Sequence, residues 1–92
     1  MYLVITSQII SVGITPTKLP PTPLVGREFV SLQNVGTGTV YIANTFVTAN
    51  TAGTGGYQLL PTGEWIATYT DEVDVWGVLS AGSSQVVVSE GK

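Results

Sequence analysis

The chain contains neither cysteine nor histidine. Disulfides, thiolate metal sites, Cys-His pairs and Ser-His-Asp triads therefore cannot be built, and the common zinc sites go with them. Charge is scarce too. Charged residues make up 10% of the 92 residues, against about 25% in an ordinary soluble domain, so Thr, Ser, Gly, Asn and Gln must coat most of the surface. Such a surface lacks the usual protection against association, which points to partners covering much of it. The alternative is a monomer solubilised by hydroxyls and amides. The three bases, Lys18, Arg27 and Lys92, lie far apart, and the formal net charge is −3. With no basic stripe to neutralise phosphates, neither nucleic acid nor an anionic membrane surface is expected as a partner. No apolar run approaches the ~20 residues of a membrane-spanning helix. The opening residues Met1 to Gln8 carry no basic region and their apolar run breaks at Thr6, so no secretory leader is expected there.

What is present is hydrophobic residues, 43% of the chain, arranged with period two and punctuated every ten or so residues by Gly, Pro, Asn or Thr. That pattern predicts a single all-β domain over 1–92, a small sandwich or barrel. No stretch has a helical period. Ile10, Val12 and Ile14 alternate with Ser11, Gly13 and Thr15, placing the three branched residues on one face, with a shorter apolar piece from Tyr2 to Ile5 before them. Pro16, Pro20, Pro21 and Pro23 then remove backbone donors and predict an extended crossing, not a central strand. Residues 1–23 thus form an extended N-terminal segment, readable as an arm or as a stiff crossing between two sheets.

Strand-like Glu28 to Gln33 and Thr39 to Ala43 flank Gly36-Thr37-Gly38, which predicts a hairpin. A Thr/Gly loop follows from Asn44 to Gly56, then a Pro61-Thr62-Gly63 turn. Glu64 to Thr70 sets Ile66 and Thr68 against Trp65, Ala67 and Tyr69. Val73 to Leu79 predicts a further strand, Ser80 to Ser84 a turn, and Gln85 to Ser89 the last strand.

Little here can carry chemistry. Acid–base work would fall to Glu28, Glu64, Asp71, Glu72, Asp74 and Glu90, and paired carboxylates are the glycosidase device. That device needs a sugar-sized cleft, and a pocket of ~300–1,000 Å³ would take a large share of so small an interior. An enzyme is not expected. Asp71-Glu72-Val73-Asp74 offers oxygens for a hard cation but lacks calcium-loop spacing, and reads as a solvated turn entering a strand. The glycine patches Gly36-Thr37-Gly38 and Gly53-Thr54-Gly55-Gly56 precede no helix and no Gly-Lys-Ser/Thr ending, so turn chemistry accounts for both. No metal or cofactor is expected. Trp65 and Trp76 are candidates for stacking on sugars, with a place in the core or in a subunit interface as the plainer reading.

The run Leu24-Val25-Gly26-Arg27-Glu28-Phe29-Val30-Ser31-Leu32-Gln33-Asn34-Val35-Gly36 resembles a pattern of small virion proteins from tailed bacteriophages. There a Gly-Arg pair precedes a strand ending in Gln-Asn and a glycine turn. The likeness continues through Val40-Tyr41-Ile42, Leu60-Pro61-Thr62-Gly63-Glu64, Val75-Trp76-Gly77-Val78 and Gln85-Val86-Val87-Val88-Ser89-Glu90, about four-fifths of the chain. It implies a β-sandwich of jelly-roll-like form in the virion, without catalysis. The implied role is capsid decoration or cementing on the major capsid protein lattice, or a part in tail, neck or fibre. It also implies a homo-oligomer, often a trimer. The long Thr/Gly loop and the proline-dense crossing depart from the commoner form. Tyr2, Leu3, Val4, Ile5 and Arg27 are the candidate interface residues; Arg27 is expected to pair with one of the carboxylates, since its planar fork suits a partly buried or interfacial carboxylate, with an exposed strand-end charge as the alternative. A carbohydrate-binding module using Trp65 and Trp76 is the alternative from a different class.

Overall fold

A computed structural model of the chain describes residues 4–43 and 57–92. Among these residues eight strands run in the order β1 (Ile5–Val12), β2 (Thr17–Lys18), β3 (Phe29–Asn34), β4 (Val40–Ala43), β5 (Tyr57–Leu59), β6 (Glu64–Ala67), β7 (Trp76–Val78) and β8 (Ser84–Gly91). They form two antiparallel four-stranded sheets, β1-β8-β3-β6 and β2-β7-β4-β5. The all-β sandwich is therefore as expected. The chain changes sheet at every connection except that between β4 and β5. This is the winding of an eight-stranded jelly roll.

The core lies between the sheets and follows the strand period. Val12 from β1, Val30 and Leu32 from β3, and Val86 and Val88 from β8 face Val40, Ile42 and Leu59 of the second sheet, all at 2% exposure or less. Leu19, Val75 and Leu79 close the ends. Each such side chain contributes roughly 1.5–3 kcal/mol by leaving water. Along β6 and the residues just after it, Trp65, Ala67 and Tyr69 are half-buried while Ile66 and Thr68 are exposed, the alternation the sequence predicts.

Several elements differ from expectation. Glycines 36 and 38 do not close a hairpin, because β3 and β4 belong to different sheets. The reason is the fully buried Asn34, whose amide nitrogen donates to the carbonyls of Gly38 (2.7 Å) and Leu59 (2.9 Å). Its Oδ1 accepts from the Gly36 amide (3.1 Å) and the Ser84 hydroxyl (2.6 Å). From one side chain these bonds tie the turn at Gly36 and Gly38 to β5 at Leu59 and to β8 at Ser84, and they hold it as an arch over the core.

Ile14 does not share a buried face with Ile10 and Val12. β1 ends at Val12, the Gly13 carbonyl accepts the Leu79 amide at 2.8 Å, and Ile14 is 67% exposed on the way to Pro16. At the other end, Ile5 is not set apart from the strand: β1 continues through Thr6-Ser7-Gln8 and pairs with β8 of its own chain from Ile5↔Gly91 to Val12↔Ser84. The proline-rich stretch holds only the two-residue strand β2, at a sheet edge, where missing donors do least harm. The β7 strand, Trp76–Val78, is shorter than Val73 to Leu79, and the Val73 carbonyl accepts from Arg27 instead of from a neighbouring strand.

Candidate functional site

The first sheet has one face on the core and one turned out. Because side chains alternate, the register places Ile5, Ser7, Ile9 and Ser11 of β1 on the outer face beside Gln85, Val87, Ser89 and Gly91 of β8. Phe29, Ser31 and Gln33 of β3 continue it, and Glu64 and Ile66 of β6 complete it. Ile5, Ile9 and Ile66 are 65%, 69% and 68% exposed. Ser7 and Ser89 share a hydroxyl hydrogen bond of 2.8 Å across β1 and β8. Phe29 packs over Gly91, where an added Cβ would lie 2.2 Å from the ring. The face is thus a sheet of isoleucine, valine, hydroxyl and amide groups with one carboxylate, Glu64.

It carries a shallow depression of ≈140 Å³ lined by Ser31, Gln33, Glu64, Ile66, Val87 and Ser89. That is well under the ~300–1,000 Å³ of a small-molecule pocket. A surface of this shape suits a flat macromolecular partner: branched side chains give up water on contact, and hydroxyls and amides supply direction.

The expected site residues are not brought together. Tyr2 and Leu3 lie outside the described residues, as does the Thr/Gly loop with its Gly53-Thr54-Gly55-Gly56 patch. Val4 is 40% exposed and exchanges backbone bonds with Lys92, and Ile5 lies on the outer face. Arg27 has the carboxylate partner expected of it. It is 1% exposed, and its guanidinium donates to Glu90 at 2.9 Å and to the carbonyls of Tyr69 (3.2 Å), Thr70 (3.1 Å) and Val73. Glu90 also accepts the Leu24 amide at 2.9 Å. The carboxylate lies inside the protomer, in the same buried network. The Arg27 fork ties the loops before β3 and after β6 to the end of β8.

The aromatics divide. Trp65 and Tyr69 turn inward, edge to face at 5.7 Å, against the core. Trp76 lies on the outer side of the second sheet, half-buried with Tyr41, Ala43 and Val78. The acids are spread out: Asp71 accepts the Gly26 amide at 3.0 Å, and Asp74 pairs with Lys18 at 3.5 Å. Among the described residues no three metal-ligating side chains gather to hold an ion.

Ile9, Ile66 and Val87 escaped the sequence reading. A signal existed, because Ile9-Ile10, Trp65-Ile66 and Val86-Val87-Val88 are apolar at consecutive positions, and in a strand consecutive apolar residues coat both faces.

No family model matches this chain, and no curated protein and no solved structure is significantly similar to it.

Proposed function

We propose that this chain is a structural module of a tailed-phage virion that decorates or cements the capsid by docking the outer face of its first sheet on the major capsid protein lattice. One observation carries the reading: a broad, nearly uncharged face bearing three isoleucines more than 60% exposed, whose depression of ≈140 Å³ is small for a small-molecule ligand. The resemblance in the Gly26-Arg27 and Gln33-Asn34-Val35-Gly36 runs supplies the class of partner. A tail, neck or fibre location would use the same face on another virion protein. Repetition over identical lattice sites lets modest contacts per copy add through effective concentration.

The carbohydrate-binding alternative is weakened by Trp65, which is engaged within the core; Trp76 alone would have to serve as a platform.

Purified capsid shells should take up the protein. Uptake should persist in EDTA and at several-fold raised ionic strength, because apolar burial is insensitive to Debye screening. Ile66→Lys and Val87→Lys should each lower affinity about tenfold or more with the thermal midpoint nearly unchanged. Electron microscopy of labelled particles would locate the protein, and density confined to tail or fibre would move the assignment there. Competition by a soluble glycan, abolished by Trp76→Ala, would replace the reading with sugar binding.

A further inference from the structure

We propose that the protein forms a two-fold dimer by pairing β1 with β1 of a second copy, joining the two first sheets into one eight-stranded sheet. This goes beyond the docking face and does not rest on it.

β1 is the edge of the first sheet. Val4 and Lys92 exchange both backbone bonds, at 2.9 and 3.0 Å. From that pair, the alternation of an antiparallel ladder directs the groups of Thr6, Gln8, Ile10 and Val12 to β8 and those of Ile5, Ser7, Ile9 and Ser11 to the open edge. Eight residues, Ile-Thr-Ser-Gln-Ile-Ile-Ser-Val, carry no charge, no proline and no glycine, and their register with β8 runs without a bulge. Soluble proteins blunt edges with charges, prolines and bulges, and Ile5–Val12 has none of the three.

The other described edges are poorer templates. β6 has four residues and begins with Glu64, β2 has two and carries Lys18, and β5 has three. A copy placed on β6 would bring two Glu64 carboxylates together. On β1 no like charges meet, since the nearest acid, Glu90, is buried and paired with Arg27.

The sequence of β1 is also complementary to itself. With Ser7 opposite the partner's Ser7 on the two-fold axis, Ile5 faces the partner's Ile9 and Ile9 the partner's Ile5, all on the outer face. The bonding pairs then fall on the residues whose backbone groups point outward. Two isoleucine pairs are removed from water and the hydroxyls sit between them. An isologous contact of this kind closes at two copies, in place of the trimer that the resemblance implies.

The test uses the full chain. Analytical ultracentrifugation of the wild type at micromolar concentration should give twice the chain mass. Ile9→Pro removes an amide that points away from β8, a substitution an edge tolerates, and should halve the sedimenting mass while retaining the circular dichroism spectrum. The chain has no native thiol, so Ser7→Cys reports on pairing alone: opposed Cα atoms ~5.5 Å apart fall within disulfide range. Oxidation should convert Ser7→Cys to a covalent dimer, while Ile66→Cys on the far edge strand stays single. A wild-type monomer or trimer, a doubled mass that survives in folded Ile9→Pro, or crosslinking of Ser7→Cys no faster than that of Ile66→Cys would each overturn the proposal. If Ile9→Pro fails to fold, the wild-type mass and the crosslinking decide.

Discussion

Arg27 and Asn34 do more for this fold than their polarity would lead one to expect. Each is buried, and each joins segments distant in sequence: Arg27 the loops around positions 24, 70 and 73 and the end of β8, Asn34 the two sheets and the start of β8. All the buried polar side-chain atoms among the described residues have partners, so the cost of taking them from water is offset by bonds. Removing one partner leaves the others stranded. Arg27→Lys keeps the charge, but a single ammonium cannot span Glu90 and three carbonyls on two sides. It should cost about 3 kcal/mol, a penalty typical of a broken buried pair, read as a fall in the urea midpoint at unchanged slope. A midpoint within error of wild type would show that the network has no net worth.

At the scale of elements, the arch between β3 and β4 replaces the expected hairpin, and it works because its turn touches β8 directly. The Val35 amide donates to the Gln85 carbonyl at 2.9 Å. A Cβ on Gly36 would stand 2.0 Å from the Ser84 hydroxyl oxygen, 2.8 Å from the Gln85 nitrogen and 2.9 Å from the Ser84 Cα. Two of those atoms are backbone and cannot swing aside. Gly36→Ala should therefore destabilise by about 3 kcal/mol, at the upper end for overpacking. Gly13→Ala, whose Cβ would meet nothing nearer than 3.8 Å, should stay within about 0.5 kcal/mol of wild type. Calorimetry of the pair separates steric exclusion at the arch from a general effect of losing glycine.

For the whole molecule, strand pairing is long-range. β1 pairs with β8 from one end of the described chain to the other, and β3 with both β6 and β8. Loop closure must precede most contacts, so refolding should take milliseconds to seconds, as in other all-β folds. Stopped-flow tryptophan fluorescence would follow it through Trp65, which is packed against the core. A microsecond relaxation would contradict this assignment of rate to topology. The same winding leaves β1 at a sheet edge, so the strand that completes the first sheet is also the one with an open ladder.

The all-β class, most strand positions and the low charge of the surface were legible in the order of residues, because period-two burial and Gly/Pro punctuation are local properties. The alternation of Trp65, Ala67 and Tyr69 with Ile66 and Thr68 was legible for the same reason, though not which set faces the core. Local pattern could not say which strands share a sheet: Gly36-Thr37-Gly38 is compatible with a hairpin and with an arch, and only Asn34 reaching Leu59 and Ser84 selects the arch. Nor could it say that Arg27 meets Glu90, 63 positions away, or that Ile9, Ile66 and Val87 share one exposed face. Those outcomes depend on which distant segments are brought together, and only the packed sandwich decides that.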